Sequence, residues 1–125
     1  MQPRRATPMY LVEDMDDARL RYVGLGFVTM PTDDDGRCGV SAGQTHIILI
    51  DREHAERTLP PRAVALLEGR PALYVWVESL EDLRVAAWAE SDTFLGEVSM
   101  AGLREWAVET DNGLLVFAET TARQH

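Results

Sequence analysis

Apolar and polar positions along the chain follow one order of elements twice. An extended run from Pro8 to Val12 leads to a segment where Met15, Ala18 and Tyr22 recur at spacings of three and four. That is one face of a helix, with Asp14 or Asp16 placed to cap it. Gly24-Leu25-Gly26-Phe27 ends the helix and begins a strand. Asp33-Asp34-Asp35-Gly36 reads as a turn and Cys38–Ser41 as a short strand. After Ala42-Gly43, the β-branched run Thr45–Ile50 is a buried strand. The second half repeats the order. Ala72–Val77 is a central strand, and Ser79 caps a helix with Asp82 three residues on. Leu80, Leu83 and Ala87 share the inner face of that helix, with Trp88 beside them as a core residue. Strands follow at Thr93–Val98, Leu103–Glu109 and Leu114–Ala118, the last two joined by the hairpin signal Asp111-Asn112-Gly113.

The expected order is therefore β-α-β-β-β, connector, β-α-β-β-β. Module one spans about 7–51 and module two about 72–120. Residues 52–71, polar and carrying Pro60, Pro61 and Pro71, read as a connector with a helical turn at 62–68. Each module alone leaves a sheet face bare, so the two must pack as one α+β domain over residues 1–125.

Composition narrows the partners. The 125 residues carry 21 acidic and 12 basic side chains, a formal net charge of −9. All twelve basic residues are arginine, which we read as a codon bias. An acidic chain is a poor nucleic-acid binder, since phosphate contact needs a basic face. Its field draws a cationic small molecule, although acidity also serves plain solubility. No run reaches the length of a membrane span, and no apolar segment follows Arg4-Arg5 as a secretory leader requires. Cys38 is the single cysteine, so no internal disulfide forms. The expected setting is the cytoplasm.

The order of elements resembles the vicinal-oxygen-chelate superfamily, the glyoxalase, bleomycin-resistance and extradiol-dioxygenase group. Val12-Glu13-Asp14 before the first helix, Leu25-Gly26-Phe27 after it, and Asp111-Asn112-Gly113-Leu114-Leu115-Val116-Phe117 at the end carry that resemblance. Within the group the chain is most similar to the metal-free bleomycin-binding resistance proteins. The matching segments are Thr7-Pro8-Met9, Leu73–Val77 running into Leu80-Glu81-Asp82-Leu83, and Leu103-Arg104-Glu105-Trp106-Ala107. The resemblance implies a cupped mixed sheet and a homodimer that exchanges its N-terminal strand at Pro8, with the ligand in a groove between subunits. In the superfamily's enzymes the cup holds a divalent metal on four strand positions, which fall here at about Thr7, Ile48, Ala72 and Phe117. Ile, Ala and Phe supply no ligand and Thr is a poor lone one, so no metal or other cofactor is expected.

What the resemblance implies is reversible sequestration of an antibiotic: self-resistance by binding a cationic, aromatic natural product such as a bleomycin-type drug. The alternative is a metal-independent isomerase or cyclase of a biosynthetic pathway on the same scaffold. Its mark would be a paired acid and base in the cup, for which Glu105, Glu109 and Glu119 are the available carboxylates. An interaction module with a filled cup is a third reading, and a metalloenzyme with displaced ligands a fourth. Tyr74 and Trp76 alternate onto one strand face and can stack a flat ligand, or simply fill the cup. By the alignment Phe117 joins them. His46 shares a face with Ile48 and Ile50, and is either a ligand donor or a satisfied strand-end histidine. Asp33 and Asp34 are either a solvated turn or an acidic rim for a cation. The facing of Trp106 stays open. The expected ligand-binding set is thus Tyr74, Trp76, Phe117, Ile48, His46, Trp106, Asp33 and Asp34, with no catalytic residue assigned. Cys38 is expected to be a small buried residue.

Overall fold

A computed structural model of the chain describes residues 5–30, 36–86, 92–100 and 103–120. The elements run β1 (Arg5–Val12), α1 (Met15–Gly24), β2 (Val28–Met30), β3 (Arg37–Ala42), β4 (Thr45–Asp51), α2 (Arg52–Thr58), α3 (Pro61–Gly69), β5 (Ala72–Trp76), α4 (Leu80–Ala86), β6 (Thr93–Met100), β7 (Leu103–Thr110) and β8 (Gly113–Thr120). The expected turn at 33–35 and the expected core positions Ala87 and Trp88 lie outside the described residues.

Caps match their local chemistry. Asp14, with extended backbone, accepts from the Asp17 amide at 3.0 Å and starts α1. Asp51 does the same for the His54 amide at 2.8 Å. Ser79 Oγ accepts from the Asp82 amide at 3.2 Å. Pro61 opens α3 at a position where its missing N–H costs nothing. Gly113 closes the β7–β8 hairpin at φ +114°, a conformation that suits glycine.

The eight strands form one sheet in the order β2-β3-β4-β1-β5-β8-β7-β6. Each module has the same topology. Its first strand runs parallel to its last, β1 with β4 and β5 with β8, and the other neighbours are antiparallel. The modules join through antiparallel β1 and β5, from Arg5↔Trp76 to Met9↔Ala72. The repeat expected from the sequence is thus present as two βαβββ units. Within the single chain β1 pairs with β4 on one side and with β5 on the other.

Alternation along the strands separates two faces. On the convex face α1 covers Cys38, Val40 and Leu49 through Met15, with Tyr22 packed edge-on against Phe27. On the same face α4 covers Val75, Val77 and Trp106 through Leu80 and Leu83. The opposite, concave face carries the largest core cluster, which includes Met9, Ile50, Ala72, Tyr74, Ala107, Leu114, Val116 and Ala118.

The connector holds the helical turn expected at 62–68 as α3 and adds a second helix, α2. It forms two helices, α2 and α3, whose Ala55, Leu59, Ala63, Val64 and Leu67 belong to the concave-face core. The spacing of Ala63, Val64 and Leu67 is what turns α3 inward. Gly36, just before β3, lies tight against α2: a Cβ there would lie 2.1 Å from the buried His54 ring, so only glycine fits.

Candidate functional site: the concave face

Strand pairing defines this face row by row. Thr7 lies opposite Tyr74, Tyr74 beside Val116, and Val116 opposite Ala107. In the next row Arg5 lies opposite Trp76, Trp76 beside Ala118, and Ala118 opposite Glu105. On the module-one wall, Arg37 lies opposite Ile50, Gly39 opposite Ile48 and Ser41 opposite His46. The same parity puts Val28 and Met30 of edge strand β2 on this face. They are 66% and 40% exposed, so this wall stays open to solvent while α2 and α3 cover the centre.

A buried polar cluster crosses the cup. Arg37 in β3 donates from Nη1 and Nη2 to the two Glu105 carboxylate oxygens at 2.5 and 2.8 Å. The Tyr74 hydroxyl, on the floor between the walls, donates to Glu105 Oε2. Glu105 and Tyr74 are each 1% exposed and Arg37 is 9% exposed. The guanidinium carbon also sits 5.8 Å from the Tyr74 ring centroid. From β3 to β7 is five strand steps. In a flat sheet those steps would separate the residues by about 24 Å. The bidentate contact therefore requires a sheet curled until its walls face each other. Burial, then the Glu105 carboxylate, push the Tyr74 phenol far above its ordinary range, against the opposing pull of Arg37. The hydroxyl stays protonated as the donor to Glu105.

The structure unites part of the expected site. Tyr74, Trp76, Ile48 and His46 share the concave face. Ile48, His46 and Trp76 are half-buried, and Tyr74 is buried. Trp76 packs edge-on to Tyr74, with centroids 5.4 Å apart at 66°. The Arg5 guanidinium lies over the Trp76 ring, 5.8 Å from its centroid. The Trp76 indole N–H is closed off from solvent and finds no acceptor among the described residues. Such a donor costs about 1–3 kcal/mol when left unmet.

Phe117 and Trp106 lie elsewhere. They are cross-strand partners on the convex face, packed with Val75 under α4. The alignment placed Phe117 in the cup, but one residue of strand register reverses a side chain, and Val116 and Ala118 occupy the cup instead. The Trp106 indole donates to Glu97 Oε1 at 2.8 Å, and Phe94 packs against its ring. Asp33 and Asp34 lie outside the described residues. Cys38 is buried beneath α1.

The residues at the superfamily's metal positions do not fit a metal. Thr7, Ile48 and Ala72 face the cup, and the β8 position is filled by Val116 and Ala118. This set offers one hydroxyl and no carboxylate, imidazole or thiolate. Among the described residues no group of three or more His, Cys, Asp or Glu side chains is placed to hold a metal ion.

The three carboxylates considered for acid–base work are all engaged. Glu105 is held as above. Glu109 is paired with Arg62 of α3 at 2.7 and 3.0 Å, which pulls its carboxyl below the ordinary value. Glu119 is on the convex face, accepting the Leu80 amide at the start of α4 at 2.7 Å and the Arg104 guanidinium at 3.2 Å.

Sequence reading missed Arg37 and weighed Glu105 only as an acid or base. Their parity was legible, since Arg37 alternates with Cys38 and Glu105 with Trp106, which turns a charge inward at each position. Their meeting across 68 residues was not, because it depends on the curl of the sheet.

This is the glyoxalase/bleomycin resistance protein/dioxygenase fold. A solved structure from Bacillus halodurans matches with a TM-score of 0.68 at 17% identity, covering 100% of this chain and 99% of that one. A glyoxalase/bleomycin resistance protein/dioxygenase superfamily member from Vibrio splendidus matches with a TM-score of 0.59 at 19% identity, covering 94% and 99%. The neighbours also include the bleomycin-binding protein of Streptomyces verticillus in complex with copper(II)-bleomycin, at 17% identity, 94% coverage of both chains and a TM-score of 0.37. A score that low adds nothing to the fold. By sequence, the chain matches no family and no curated protein. No helix among the described residues is long and apolar enough to cross a membrane.

Proposed function

We propose that this chain is a metal-free binding protein that sequesters a flat aromatic natural product, as an antibiotic self-resistance protein does. The observation that carries the reading is the division of labour on the concave face. Its β7 carboxylates, Glu105 and Glu109, are spent on arginines. Trp76 beside Tyr74 is only half-buried, on the same face as Ile48, His46, Val28 and Met30. An aromatic surface with its charges neutralised suits holding a ligand rather than moving protons on it. The net charge of −9 draws a ligand with a cationic portion, such as a bleomycin-type drug.

The reading takes the protein as a cytoplasmic homodimer, a state that light scattering tests directly. The binding test is titration with metal-free and copper-loaded bleomycin and then a panel of cationic aromatic antibiotics, following tryptophan fluorescence. Saturable quenching at micromolar levels or tighter, with the drug recovered intact, supports sequestration. A flat response across the panel overturns it. One observation favours a second reading. The α2 and α3 helices pack into the centre of the cup, as an interaction module with no small ligand would have it. A flat panel together with stable capture of one defined protein partner would select that reading.

A further inference from the structure

Two donors meet at one ring, and among the described residues neither has an acceptor. The Trp76 indole N–H is buried without an acceptor. Arg5, exposed at the start of β1, lays its guanidinium over the same ring at 5.8 Å and makes no ion pair among the described residues. The two residues are directly opposite in the β1–β5 ladder, so the backbone fixes their separation. The carboxylate in the same row does not relieve them. Glu105, one strand beyond Ala118 in the same row, is held on both oxygens by Arg37 and also receives the Tyr74 hydroxyl.

We propose that Trp76 and Arg5 form a subsite for the carboxylate of an aromatic acid. The inference rests on the binding reading above and sharpens it. The acid's ring lies against Trp76 toward Ile48 and His46, and its carboxylate takes the indole N–H and the Arg5 guanidinium. A charge-assisted bond to arginine is the stronger of the two contacts, and the indole N–H sets its direction. Arg5 is the movable element, since a long exposed side chain can swing from the ring to the ligand without disturbing the ladder.

The overall acidity of the chain does not oppose this. At physiological ionic strength exposed charges are screened beyond about 8 Å, so the local donors decide which group lodges at the ring. A ligand carrying a cation at its outer end and a carboxylate on its ring satisfies both fields.

The test uses the full chain labelled with nitrogen-15. Three tryptophans give three indole N–H resonances, and Trp76→Phe assigns one by its loss. Naphthoate and naphthylmethylammonium share a ring and differ in charge. Naphthoate is expected to shift the Trp76 resonance downfield and to saturate, while the ammonium leaves it in place. Arg5→Gln, a surface change, is expected to weaken naphthoate about tenfold, the scale of one charge-assisted bond. Trp76→Phe keeps the ring and is expected to weaken it similarly. An unmoved Trp76 resonance at saturating naphthoate overturns the subsite, as does unchanged affinity in both variants. The drug titration separates the two ideas. Bleomycin bound with the Trp76 resonance unmoved by naphthoate leaves sequestration standing and removes the subsite. Naphthoate docked at Trp76 with every antibiotic ignored does the reverse.

Discussion

Arg37 and Glu105, on strands five steps apart, form a bidentate pair inside the cup. The pair holds one wall of the curled sheet against the other, and Tyr74 on the floor joins it. Removing one partner strands a buried charge. Arg37→Met or Glu105→Gln alone is therefore expected to cost about 3–5 kcal/mol in urea unfolding. The double variant Arg37→Met/Glu105→Leu leaves no buried charge, only the Tyr74 hydroxyl without its acceptor, and should recover part of that loss. Additive losses in the double-mutant cycle would show that the two side chains act independently.

Tyr74 ties stability to alkaline pH. Its phenol ionises well above the ordinary 10.0 in the folded chain because of burial and then the Glu105 carboxylate. Above about pH 10 the unfolded chain releases this proton while the folded chain keeps it. The folded state then binds more protons, so stability falls as pH rises, by at most about 1.4 kcal/mol per unit from this group. The contribution is fully present below pH 10 and is lost as pH climbs toward the folded value. Comparing urea midpoints at pH 9 and pH 11, Tyr74→Phe should flatten the decline. Phenolate absorbance offers a second measure: one of the three tyrosines should stay un-ionised until the chain unfolds. Three ordinary titrations in the folded protein would refute the assignment.

Gly36 and His54 make a steric claim. The ring of His54 occupies the space that a Cβ on Gly36 would need, at 2.1 Å. Gly36→Ala must displace α2 or the turn, and overpacking of this kind costs about 1–3 kcal/mol. His54→Ala opens the space, so Gly36→Ala on that background should cost much less. Thermal unfolding of the four proteins checks it, and equal costs on both backgrounds would show that the two residues do not collide.

Much of the fold could be read from periodicity, because its elements are locally encoded. Asp14 and Ser79 mark helix starts by their own side chains, and Asp111-Asn112-Gly113 sets a hairpin by its backbone preference. In the connector the helical turn at 62–68 was legible and is α3, while α2 was not, because its residues are mostly polar and Ala55 gains its value only from the concave face it meets. The site was legible where one strand sufficed: Tyr74 and Trp76 share a face by alternation alone. It failed at Phe117, where the face depended on an alignment good only to about a residue. It also failed at Arg37–Glu105, where curl across the whole sheet decides the contact.

That division of faces yields the final prediction. If the ligand lies on the concave face, fluorescence quenching by a bound drug should come from Trp76. Trp106 lies on the other side of the sheet, with its indole on Glu97. Trp106→Phe should lose about 1 kcal/mol of stability with that hydrogen bond and leave the quenching and the affinity intact. Trp76→Phe should abolish most of the quenching. Ile48→Ala, on the open wall, should weaken binding about fivefold by removing half-buried apolar contact, a loss of about 1 kcal/mol. Phe117→Leu, beneath α4, should leave binding unchanged. A drug whose quenching vanishes with Trp106 and survives the loss of Trp76 would place the ligand on the convex side and remove the concave face from consideration.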